Sequence, residues 1–306
     1  MRQAELAGIF KAATLTLCLC GLPLFASPPE AASQRSHRLK LGSFVVPPNP
    51  TSGLLIRARI NGGPLLRLLL DSGTQYVVLD RKAAARSSCV AGGALDLVGA
   101  GGPAAATART VAGNTIEIAD LTLRNIPLLV TDHRVADGID GALPLSLFDG
   151  FLIELDLAGH TLDLVPYPDG PAYIAGAAKA VASNRLLFLK GVFDERHEGY
   201  FLLDTGASYN AVARGLGRYL SRSDALTPRV SVKGATAAGD APLFPETVRV
   251  QFGSYTLEAG PVVAIDLATA SRYHAFEVAG LIGYPALRDS ILIVDYRDQL
   301  VWIGPR

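Results

Sequence analysis

Apolar and polar positions alternate from Leu54 to Ile60, where Ile56, Ala58 and Ile60 are separated by Arg57 and Arg59. That period of two predicts a half-exposed strand. Asn61-Gly62-Gly63 follows as a hairpin turn, and Leu65–Leu70 is a strongly apolar return strand. Asp71 is therefore predicted just past the end of the second strand. Further strands are predicted at Ile116-Glu117-Ile118 and Leu121–Val130, a short helix at Leu143–Asp149, and a closing hairpin of Ile153–Asp156 with Thr161–Val165 around Ala158-Gly159. Tyr167 to Ala182, with Pro168, Gly170, Pro171 and Gly176, reads as a linker. The same plan then returns: Leu186–Phe193, Gly199–Leu203, Val248–Phe252, Tyr255–Leu257 and Pro261–Ile265 as strands, and Ala286–Asp289 as a short helix.

The return is visible in the motifs as well as the pattern. Leu69-Leu70-Asp71-Ser72-Gly73-Thr74-Gln75-Tyr76 is matched by Leu202-Leu203-Asp204-Thr205-Gly206-Ala207-Ser208-Tyr209, and the interval from Asp71 to Asp204 is 133 residues. Alone, Asp-Ser-Gly is an ordinary turn. Two copies, each at the end of an apolar strand, are an internal repeat. Downstream, Gly138-Ile139-Asp140-Gly141-Ala142-Leu143-Pro144 is set against Gly280-Leu281-Ile282-Gly283-Tyr284-Pro285, which pairs Gly141 with Gly283 at an interval of 142. Asp156 and Asp295, after the closing strands, are 139 apart and read as hairpin-shaping residues.

These paired motifs resemble the aspartic peptidases, with two retropepsin-like lobes in one chain, over roughly residues 44–306. The resemblance implies an all-β, bilobal fold: two homologous closed β-barrel-like lobes with short helices and the active site between them. It places the N-terminal lobe at 53–167, the linker at 168–182 and the C-terminal lobe at 183–306, and implies Asp71 and Asp204 as a catalytic dyad hydrolysing peptide bonds in an endopeptidase. Ser72, Gly73, Thr74, Thr205 and Gly206 are implied as loop support, the two hydroxyls of Ser72 and Thr205 locking the loops across the lobe interface. Gly99, Gly101 and Gly102 fall on the hairpin that the family closes over a bound peptide, with Gly234 to Pro245 as its second-lobe counterpart. Residues 91–115 carry no tyrosine, which favours the retroviral over the pepsin type of flap. No cofactor or metal is implied; the expected partner is a peptide or protein substrate, and the chain is expected to act as a monomer. The rival reading is a peptide- or ligand-binding protein that keeps the fold without turnover; both aspartates and both glycines being present argues against it.

The chemistry needs two carboxyls close enough that both cannot ionise, so that one is base and the other acid. Glycine after each aspartate admits close packing or a positive φ. Thr74 offers a hydroxyl that Ala207 lacks, which assigns the negative charge to Asp71 and the shared proton to Asp204. Tyr76 and Tyr209 read as packing residues.

Composition narrows the alternatives. Of 306 residues, 28 Lys and Arg balance 28 Asp and Glu, so charge gives no argument for nucleic acid or an anionic membrane. Arg2 and Lys11 precede an apolar run from Ala12 to Ala26, and Ala31-Ala32-Ser33 is a small-residue cleavage site, so residues 1–33 read as an export signal and 34–52 as a leader. The expected location is periplasmic or extracellular, without stable membrane association once the signal is cut, and membrane-anchored if it is not. Cys89 is then the single cysteine of the mature chain and makes no internal disulfide. The five histidines, His37, His133, His160, His197 and His274, lack metal-ligand spacing and read as surface or hairpin residues. Gly99-Ala100-Gly101-Gly102 lacks the following amphipathic helix of a dinucleotide site, and no Gly-x-Ser-x-Gly elbow occurs.

Overall fold

The structure is a computed structural model that describes residues 13–14, 18–20, 35–44, 53–89, 92–99, 106–132, 136–170, 174–193, 195–220, 228–233, 238–245, 247–252 and 255–306. In the first lobe a ring of six strands closes on itself. Its order is Ala106–Ile118, Leu121–Thr131, Val77–Asp80, Gly141–Pro144, Leu66–Asp71 and Gly53–Ile60, the last pairing back to the first. Gly141–Pro144 is threaded between the two strands that flank the first aspartate, parallel to Leu66–Asp71 and antiparallel to Val77–Asp80.

The second lobe repeats this wiring. Val278–Gly283 runs parallel to His197–Asp204 and antiparallel to Asn210–Ala213, which in turn is parallel to Val262–Ile265. Here the counterparts of the two long strands are each divided, into Ala238–Phe244 with Val248–Phe252 and Tyr255–Ala259 with Val262–Ile265.

The lobes share a sheet. Phe151–Asp156 of the first pairs antiparallel with Ser290–Asp295 of the second, from Ile153 opposite Val294 to Asp156 opposite Ile291. Outside them lie Thr161–Pro166 and Leu300–Pro305, each the other arm of its lobe's closing hairpin. Ala178–Ser183, all but its last residue within the segment read as linker, is paired to Leu300–Val301 and to Leu186–Leu189.

The segment read as leader is also built in. His37–Lys40 pairs with Thr161–Leu164 and Gly42–Phe44 with Gly53–Leu55. Both strands are short, and the partner of His37–Lys40 lies far along the chain, so no local pattern announces that pairing. Of the segment read as export signal, only Ala13–Thr14 and Cys18–Cys20 are among the described residues; they pair with Arg229–Lys233 and Ala94–Gly99 respectively. Among the described residues, no helix is long and apolar enough to cross a membrane.

Register corrects one equivalence. Gly141 lies opposite Leu68 and Leu79; the residues 133 further on, Phe201 and Val212, lie opposite Gly280. Gly141 therefore corresponds to Gly280, not Gly283, and the interval is 139, the same as from Asp156 to Asp295. The packing agrees: a Cβ on Gly141 would stand 2.0 Å from the Val78 carbonyl oxygen, and one on Gly280 2.4 Å from that of Ala211. Position 283 corresponds to Pro144.

Three helices join those expected near Leu145–Phe148 and Tyr284–Leu287. These are Arg81–Arg86, capped by the Asp80 carboxylate accepting the Ala83 N–H at 2.7 Å, Arg214–Gly217, and Ala268–His274. The first is legible in principle from its capping Asp and Ala-rich run.

Candidate active site

Each aspartate is delivered by a strand buried on both faces. Leu68 and Leu70 pack into the main core, whereas Leu69 packs on the opposite face with Leu55, Val78 and Ala142. In the second lobe Phe201 and Leu203 join the main core and Leu202 faces the other way with Phe188 and Leu281. Burial on both faces explains the unbroken apolar runs, since neither face has water to meet. Both runs end in the acid itself: Asp71 and Asp204 are the last residues of Leu66–Asp71 and His197–Asp204, one position earlier than expected for Asp71. Both are 0% exposed.

The two loops interlock. Thr205 Oγ1 accepts the Ser72 N–H at 3.1 Å and donates to the Leu70 carbonyl at 3.0 Å. Reciprocally, Ser72 Oγ accepts the Thr205 N–H at 3.0 Å and donates to the Leu203 carbonyl at 2.8 Å. Four buried bonds thus tie the lobes at the aspartates. The glycines complete the arrangement. A Cβ on Gly73 would stand 2.4 Å from Cγ of Asp204, and one on Gly206 2.3 Å from Cγ of Asp71. Each glycine lies against the other lobe's carboxyl, and neither has a positive φ. Close approach, rather than a left-handed backbone, is the reason for glycine at both positions.

Gly73 N–H donates to Asp71 Oδ1 at 2.7 Å and Gly206 N–H to Asp204 Oδ1 at 3.1 Å. Burial pushes the Asp204 carboxyl up to about 7, against the opposing pull of its hydrogen bonds with Asp71 and with the Gly206 and Ala207 N–H groups. A pair so placed binds and releases its protons as one unit, and burial favours the protonated form at Asp204.

The hydroxyl expected to set the two acids apart is engaged elsewhere. The Thr74 hydroxyl donates to the Tyr76 carbonyl at 3.3 Å and does not serve Asp71. Gly99 ends the strand Ala94–Gly99, and Gly101 and Gly102 lie outside the described residues. Tyr209 is core and Tyr76 packs at the edge of the Leu55–Leu69 cluster. Asp156 and Asp295 accept the N–H groups of Gly159 and Asp298, at 2.7 and 2.8 Å, and shape the two closing hairpins. Cys89 is half-buried, and burial pushes its thiol up. Two histidines are not surface residues: His37 is buried against Phe151 with Asp120 at 3.0 Å, and His274 is buried among Phe188, Tyr273 and Phe276 with Ser183 Oγ at 2.7 Å from Nδ1.

One residue of the site was not singled out in the sequence. Asn210 accepts the Gly283 N–H at 2.9 Å from within the core, directly behind the Asp204 loop. An amide in the run Tyr209-Asn210-Ala211-Val212, where the first repeat has Tyr76-Val77-Val78-Leu79, is the signal that marks it.

A family model described as "Aspartyl protease" matches residues 56–146, within the first lobe. The curated proteins contain no match to this sequence. Among solved structures, the aspartic proteinase from Irpex lacteus is similar with a TM-score of 0.53 at 11% identity, over 89% of this chain and 97% of that one. That identity is a likeness of fold, and it extends across both repeats. Residues 56–146 thus match an aspartyl protease family model, and the chain as a whole has the aspartic-proteinase fold.

Proposed function

We propose that the protein is an aspartic endopeptidase whose dyad is Asp71 and Asp204. The observation that carries this reading is the reciprocal contact of each glycine with the other lobe's carboxyl, which brings two buried acids from separate lobes to one point. Asp71 holds the charge and Asp204 the shared proton. A water held between them loses a proton to Asp71 as its oxygen adds to the peptide carbonyl carbon, while Asp204 donates its proton to the carbonyl oxygen. The tetrahedral carbon then expels the amine: the C–N bond breaks as the nitrogen takes the proton from Asp71. One of the two hydroxyls on that carbon returns its proton to Asp204, leaving the carboxylic acid product and the dyad as it began. The buried loops keep both carboxyls in place by their four cross-lobe bonds, so no reorganisation is needed when charge moves. Residues 1–33 serve as an export signal, and the enzyme works outside the cytoplasm on peptide or protein chains. Digestion of a random peptide library tests the activity: cleavage that a statine-type inhibitor blocks is expected, and an untouched library across pH 3–8 would refute it. N-terminal sequencing of protein recovered outside the cytoplasm tests the signal, with a start near Ser33 expected and residue 1 retained as the contrary result.

A further inference from the structure

Around the aspartates the lobes correspond residue by residue, and two positions differ together. Opposite Asp71 the threaded strand carries Pro144, which has no N–H, and the core position beside it is Val77. Opposite Asp204 the strand carries Gly283, whose N–H needs an acceptor, and the core position is Asn210, whose Oδ1 supplies it at 2.9 Å. Asn210 is 1% exposed, and its Nδ2 finds no hydrogen-bond partner among the described residues. A buried amide with a spare donor is a poorer core residue than valine, so the bond to Gly283 is what accounts for it. The same stretch grips the loop after Asp204 from its other side. Tyr284 N–H donates to the Ala207 carbonyl at 2.9 Å, and a Cβ on Gly283 would meet the carbonyl oxygens of Tyr209 and Ala207 at 2.4 and 3.0 Å.

We propose that Asn210 is a positioning residue: by holding the Gly283 N–H it fixes the loop from Asp204 to Tyr209, and so the place of the Asp204 carboxyl against Asp71. In the first lobe the need is removed by Pro144, which has nothing to donate. The inference rests on the reading of Asp71 and Asp204 as a dyad, and its test separates the two.

Asn210→Val should remain folded, with kcat lowered about tenfold, the worth of one buried hydrogen bond, and KM within roughly twofold. The Asp204 carboxyl, followed by carbon NMR, should titrate below its wild-type value as the loosened loop admits water. This readout needs no turnover, so a protein without peptidase activity would count against the dyad reading while still testing Asn210. Should Asn210→Val not fold, the pair can be moved into the first lobe. Pro144→Gly creates an N–H without an acceptor, and Val77→Asn with Pro144→Gly supplies one. The double variant is expected to recover kcat and melting temperature beyond either single change. A folded Asn210→Val with unchanged kcat and unchanged titration, or a double variant no better than the sum of its parts, would overturn the proposal.

Discussion

A glycine facing a carboxyl across a lobe boundary has no room for a methyl group. Gly73 and Gly206 would bring a Cβ to 2.4 and 2.3 Å from the opposing aspartate. Gly73→Ala is therefore expected to destabilise the protein by about 1–3 kcal/mol through overpacking. It should also push the dyad apart, lowering kcat more than the melting temperature alone would suggest; urea unfolding and kcat on one peptide check both. At this scale the two aspartates were legible because each closes an apolar run and each is followed by the same small residues. The three-residue slip between Gly283 and Gly280 arose because both glycines follow apolar residues. Only the contacts with the Val78 and Ala211 carbonyls decide between them, and those exist only in the folded sheet. The Thr74 hydroxyl, which meets the Tyr76 carbonyl, is a similar case: sequence shows that a donor is near Asp71, not which acceptor it meets.

Among the elements, the crossed pair of loops joins the lobes through four buried hydrogen bonds. Thr205→Val keeps the shape of the side chain but orphans the Ser72 N–H and the Leu70 carbonyl. A loss of about 1–3 kcal/mol per orphaned group is expected, read as a lower denaturation midpoint with an unchanged slope. The helix Ala268–His274 has no counterpart among the described residues of the first lobe. It fits the longer interval from aspartate to threaded glycine in the second lobe, 76 residues from Asp204 to Gly280 against 70 from Asp71 to Gly141, and seven residues carry too little periodicity to be legible in the sequence. Its last residue, His274, is 7% exposed, and burial lowers it to about 4 from an ordinary 6.5. Ser183 Oγ and the rings of Phe188, Tyr273 and Phe276 surround it. The unfolded chain thus takes up this proton first as pH falls. Stability from His274 is complete above 6.5 and is lost towards pH 4, by about 3 kcal/mol in all at 1.36 kcal/mol per unit. Urea unfolding at pH 7.5 and pH 4 should show a smaller acid loss in His274→Gln than in wild type; equal losses would refute this.

The whole molecule is two copies of one ring joined through a shared sheet and a shared pair of loops. Its bilobal plan was legible from the repeat, because the repeat carries strands, motif and closing hairpin in the same order. What was not legible was how far the joining extends. His37–Lys40 adds to the first lobe's closing hairpin and Ala178–Ser183 to the second's, by pairings between distant residues with little apolar pattern of their own. Arg185, in the turn after Ala178–Ser183, reaches the first lobe and pairs with Asp149 at 2.9 Å, an exposed contact that adds little by itself. The junction matters because neither lobe holds more than one of the two acids. The most direct measurement is kcat/KM on one cleaved peptide for wild type, Asp71→Asn, Asp204→Asn and the double variant, all checked for fold by circular dichroism. Each single change is expected to cost on the order of 10²–10⁴-fold and the double change no more, since the carboxyls act as one unit. Near-wild-type turnover in either single variant would contradict the dyad.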